Sequence, residues 1–114
     1  MTGRTRDAGW QVGARRTVPL ELGEAWELLT AQPWLHRWSG LAALDADDPA
    51  VRSLTAERVA RVRTPDSLVQ LRVLPATTGT TIAFHEEHLA DEQARTLRKQ
   101  HWTQLLDELR AAAG

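Results

Sequence analysis

The sequence predicts an α+β domain in which an antiparallel sheet lies along one long C-terminal helix, and three observations carry that prediction. Stretches of alternating polarity recur between Trp10 and His88. Two short segments of helical periodicity interrupt them after the first strand. A single long amphipathic stretch follows Asp91. A sheet with one apolar face must bury that face against another layer, and only the terminal helix is large enough to cover it.

The elements follow in order. Trp10 to Val18 alternates, with Trp10, Val12, Ala14 and Val18 on one face and Gln11, Gly13, Arg15 and Thr17 on the other, the pattern of a half-buried strand. Arg16 interrupts the inner face, as a strand end or as a polar group in a cavity, and Pro19 stops the strand. Leu22, Ala25, Trp26 and Leu29 recur at helical spacing and predict a helix from Leu22 to Ala31. The residue before a proline is driven out of the helical region, so Gln32-Pro33 ends it. Pro33 opens a second short helix to Trp38, closed by Gly40. Leu41 to Pro49 reads as a loop.

Short strands are expected at Val51 to Leu54 and Glu57 to Arg63. Pro65-Asp66 marks a turn. Leu68 to Leu74 is a clearer strand, with Val69, Leu71 and Val73 on one face. Gly79 in the next turn supplies a positive φ. Thr80 to His88 is the last strand, with Ile82 and Phe84 inward and Thr81, Ala83 and His85 opposite. Asp91 is an N-cap residue, and the helix from there to Ala113 carries Ala94, Leu97, Trp102, Leu105, Leu106, Leu109 and Ala112 as its apolar stripe.

Composition bounds the function. A chain of 114 residues fits one domain that folds without metal or disulfide support. Residues 10–114 are read as that domain and residues 1–9 as a flexible tail. Net charge is -1, so no overall field points to nucleic acid. Cysteine is absent, which excludes disulfides, thiol catalysis and cysteine-based zinc sites and fits a reducing cytoplasm. No apolar run reaches the ~20 residues that span a bilayer, and no apolar segment follows the charged N-terminus to make a signal peptide. Lys99 is the one lysine among many arginines, a bias expected of a GC-rich bacterial genome.

That element order, with these residues, resembles the SRPBCC or START-like superfamily, in its branch of heat-shock ATPase activator homologues. The segment GWQVGARRTVPLELGEAWELLTAQPWLHRWSG resembles the first strand and the two helices carrying tryptophans. The segment LRVLPATTGTTIAFHEEHLADEQARTLRKQHWTQLLDEL resembles the closing hairpin and a long helix with a mid-helix tryptophan. Between them the chain is shorter than in such proteins, so a strand or two is expected to be missing or reduced. The resemblance implies a helix-grip fold: a curved sheet wrapped on the terminal helix, with a pocket between them that relatives use for lipids, polyketides or hormones. Some relatives are enzymes, others carriers, and the eukaryotic ones stimulate a chaperone ATPase.

The candidate ligand-binding residues are Trp38, Phe84 and Trp102 at the pocket mouth, with Val69, Leu71, Leu105 and Leu109 behind them and His101 at the rim. Apolar walls with a few polar groups are what small-molecule pockets use; the competing reading is that these side chains fill the core. His36 and His101 are candidates for acid-base work at the rim. His85-Glu86-Glu87-His88 departs from zinc-protease spacing, and its histidines fall on opposite strand faces, so no metal site is expected; His85 is expected to bond backbone at the helix junction. Arg61, Arg63 and Arg72 form a cationic strip, either a site for carboxylate or phosphate or a solvated face paired with Glu57 and Glu86. No nucleophile elbow or phosphate loop is present.

Three functions stand in order. The first is a binding domain, without catalysis or cofactor, that holds a small hydrophobic molecule. The second is a protein-interaction or chaperone-associated module with a filled pocket, as a homodimer or with another partner. The third is a cyclase or hydrolase of the same superfamily, using His101 with Arg72 or His36. No nucleic-acid partner or membrane insertion is expected.

Overall fold

The computed structural model describes residues 4–5 and 9–114. Its elements are strands β1 (Arg4–Thr5) and β2 (Gly9–Val18), helices α1 (Leu22–Thr30) and α2 (Trp34–Ser39), strands β3 (Val51–Thr55), β4 (Val59–Arg63), β5 (Leu68–Ala76) and β6 (Gly79–Leu89), and helix α3 (Glu92–Ala113). The strands form one antiparallel sheet in the order β1-β2-β6-β5-β4-β3. Most of the expected N-terminal tail lies outside the described residues; its Arg4–Thr5 pairs with Gly9 and Trp10 of β2.

The predicted fold class is the observed one. The middle strands expected to be missing or reduced, β3 and β4, are both present and span five residues each, against nine in β5 and eleven in β6. Pairing of Ala14 with Phe84 and of Leu71 with Phe84 aligns the inner faces of β2, β6 and β5. Val12, Ala60, Val62, Val69, Leu71, Val73, Ile82 and Phe84 are all buried there. β4 refines the sequence reading: Val62 faces inward, while Val59, three residues away, falls on the other side of the pleat and is half-buried.

α3 lies across β2 and reaches β6, while α1 packs against β5 and β6. Trp102, Leu105, Leu106 and Leu109 form its buried seam. Leu97, expected on that seam, is 56% exposed: it is one residue short of Arg98, the position that turns toward the sheet. The helix is fixed at its start by Asp91, whose Oδ1 accepts from Ala94 N–H at 2.8 Å. Along its length Arg95 donates to Gln11 O (2.7 Å) and Lys99 to Gly13 O (2.6 Å). Arg16, the odd residue of the inner face of β2, meets Asp107 of α3 at 3.1 Å. It is therefore a rim residue tying strand to helix.

Two glycines matter for the geometry. Gly40, at φ 78°, ends α2 in the left-handed region. Gly79 begins β6 at φ 146°, and a Cβ there would lie 2.0 Å from Val18 O, so only glycine lets the hairpin approach the end of β2.

Candidate functional site

The space between sheet and helices holds an aromatic stack. Phe84 of β6 stacks on Trp102 of α3, with ring centroids 4.6 Å apart, and the Trp38 ring of α2 lies 6.0 Å from Phe84, tilted by 39°. The three are 2%, 1% and 0% exposed for Trp38, Phe84 and Trp102. Trp38 Nε1 donates to Leu29 O at 2.7 Å, so its polar edge is used by the end of α1. Val69, Leu71, Leu105 and Leu109 are wholly buried around this stack. The structure places Trp38, Val69, Leu71, Phe84, Trp102, Leu105 and Leu109 in one packed core, while His101 is only partly buried.

One interior group escaped the sequence reading. Glu86 is 3% exposed and points to the inner face, not outward as a partner for the arginines. The alternation that turns Ile82 and Phe84 inward turns Glu86 inward as well. Its Oε1 accepts from Arg98 Nε at 2.7 Å and from Trp102 Nε1 at 2.9 Å. The Ser67 hydroxyl donates to its other oxygen, and Thr64 in turn bonds Ser67 Oγ at 2.9 Å. A buried carboxylate must be paired and hydrogen-bonded to be tolerated; here the β4–β5 turn contributes one donor and α3 two. Arg98 also lies over the Trp102 ring, 5.2 Å from its centroid.

His101 sits beside this hub, its ring edge-on to Trp102 at 4.7 Å. Burial, and then the charge of Arg98, lower its pKa; a hydrogen bond with the Arg37 backbone and the charge of Glu86 act the other way. Its Nε2 is buried with no hydrogen-bond partner among the described residues. His36 is exposed, and Arg72 projects from the outer face of the sheet, opposite α3. The His101–Arg72 pair offered for the enzymatic reading is therefore not assembled. His85, expected to bond backbone, instead has Nδ1 3.4 Å from Glu87 Oε1, and His88 lies 3.9 Å from the same carboxylate.

The sequence matches no protein-family model and no curated protein. Solved structures do match in shape. An AHSA1-like protein from Rhizobium etli is 16% identical with a TM-score of 0.69, over 91% of this chain and 82% of that one. The Aha1 dimer from Colwellia psychrerythraea is 12% identical with a TM-score of 0.69, over 90% and 95%. A conserved protein of unknown function from Enterococcus faecalis is 16% identical with a TM-score of 0.71, over 94% and 72%. The fold is the AHSA1-like, helix-grip fold. No helix among the described residues is long and apolar enough to cross a membrane.

In this AHSA1-like fold the side of the sheet away from α3 is left without a covering helix, and it carries the arginines. Arg61 and Arg63 of β4, Arg72 of β5 and Arg15 of β2 alternate with the buried positions of their strands. Neither expected acidic partner is there: Glu86 is inside, and the Glu57 carboxylate lies against Gly23 of α1.

Proposed function

We propose that this chain is a binding domain that engages a protein partner through its surface, its interior serving as structural core. The Trp38–Phe84–Trp102 stack carries this reading. Three large rings lie between the sheet and the helices, and each is all but excluded from solvent. A ligand entering there would have to displace close-packed aromatic surface, the costliest kind to disturb. The description of the Colwellia protein as a dimer adds support for surface association in this fold.

Native mass spectrometry of the purified chain, paired with light scattering, is the test. The expected result is a bare polypeptide mass and no rise in melting temperature with palmitate. A stoichiometric small molecule that survives purification overturns the reading, since whatever binds only the folded state stabilises it.

That outcome would favour a second reading, a carrier of a small apolar molecule with one polar end. A specific observation supports it: the His101 Nε2 is buried beside the stack and unbonded, a position where a ligand hydroxyl or carbonyl would find a partner.

A further inference from the structure

The outer face of the sheet carries guanidinium groups and almost no opposing charge. Arg61 and Arg63 lie two residues apart on β4, so their Cα atoms are separated by about 7 Å along the strand. Arg61 pairs in register with Gln70, and Arg72 with Val59 on one side and Ala83 on the other. Arg15 pairs with Ala83, which places Arg72 and Arg15 in one row, about 10 Å apart across β6. None of these four side chains has an ion pair or hydrogen bond among the described residues. The acid in these rows is Glu87, already beside His85 and His88. At the β2 end the face runs into an open depression of about 510 Å3, where Arg110 and the Thr17 and Thr81 hydroxyls join Arg15.

Two features separate this face from an ordinary solvated one. The chain as a whole is slightly acidic, so its carboxylates are gathered elsewhere while cations collect here. Moreover, the Arg61 Nε is buried and has no partner among the described residues. A desolvated donor without an acceptor is uncommon in a folded protein, and a carboxylate binding there would satisfy it.

We propose that the Arg15–Arg61–Arg63–Arg72 face is a docking surface for an extended acidic segment of a partner protein. This rests on the protein-partner reading and names the surface and the partner's chemistry. An extended peptide repeats its same-side residues at about 7 Å, the spacing of Arg61 and Arg63, so alternate Asp or Glu side chains meet successive guanidinium forks. Single-stranded nucleic acid fits less well. It needs aromatic platforms for its bases, and Phe84, Trp38 and Trp102 all face inward.

The test is fluorescence anisotropy with a labelled poly-glutamate peptide of about ten residues, long enough to span the sheet. Binding is expected at about 50 mM salt and should weaken strongly by about 200 mM. An Arg61→Gln/Arg72→Gln double variant should bind about tenfold more weakly or worse. Arg37→Gln, on α2, should bind like the parent. An unchanged melting temperature in the double variant shows that the loss is not unfolding. Absence of peptide binding at low salt, equal binding by the double variant, or tighter binding of an oligouridylate of the same length overturns the proposal. Native mass spectrometry reports on the filled interior separately. A bound small molecule there, with the peptide still binding here, would sink the packed-core reading and leave this surface standing.

Discussion

The two faces of the sheet treat their polar groups in opposite ways. On the inner face one carboxylate, Glu86, is enclosed and receives donors from Ser67, Arg98 and Trp102. On the outer face four arginines stand without partners among the described residues, and one of them keeps a buried Nε unbonded. The enclosed carboxylate is fully satisfied, although the His101 Nε2 beside it has no partner among the described residues, and the unpaired guanidinium groups are on the uncovered side. The contrast is what the proposed surface-binding reading rests on.

Substitutions test that contrast. The largest effect is expected from Trp102→Ala, which removes the ring stacked on Phe84 and a donor to Glu86. Large-to-small changes of this kind cost about 3–5 kcal/mol, readable as a lowered urea midpoint. Glu86→Ala should follow at about 2–3 kcal/mol. It strands the Trp102 and Ser67 donors, while the half-exposed Arg98 recovers some solvation, so the loss sits below that of a fully buried pair. If Glu86→Ala proves neutral, the carboxylate is not the interior keystone and the carrier reading gains ground. Asp91→Ala should cost about 1 kcal/mol through the lost helix cap.

The outer face should behave otherwise. Arg72→Gln is expected to move stability by no more than about 0.5 kcal/mol, since nothing in the fold depends on its charge. A loss near that of Glu86→Ala would erase the distinction between the faces. The smallest effect is a pH dependence at His101. Folding lowers its pKa, so the unfolded chain takes up the proton first as pH falls. Its contribution is complete above the ordinary value of 6.5 and is lost as pH drops through that value toward the folded pKa. Urea midpoints at about pH 7.5 and about pH 5.5 should differ less in His101→Gln than in the parent.

Much of the fold was legible because periodicity reports directly on burial. The alternation of Val69, Leu71 and Val73, and the helical spacing of Trp102, Leu105 and Leu109, name the inward faces without reference to any partner. The same alternation, carried two residues past Phe84, points Glu86 inward. Charge conflicted with pattern there, and pattern prevailed because Ser67, Arg98 and Trp102 converge on the carboxylate from places far apart in sequence. Leu97 failed in the opposite sense: its hydrophobicity placed it on the seam, while helix geometry set Arg98 toward the sheet.

The order of elements, the inner faces of the strands, the glycine and aspartate that punctuate the helices, and the tryptophan seam were determined by the sequence alone. They depend on local backbone preference and on spacing, which a single chain records. The stacking of Trp38, Phe84 and Trp102 into one filled interior, the rescue of Glu86 and the isolation of the outer arginines were decided only in three dimensions. Each depends on which distant groups meet, and solvation and pairing are properties of the assembled surface.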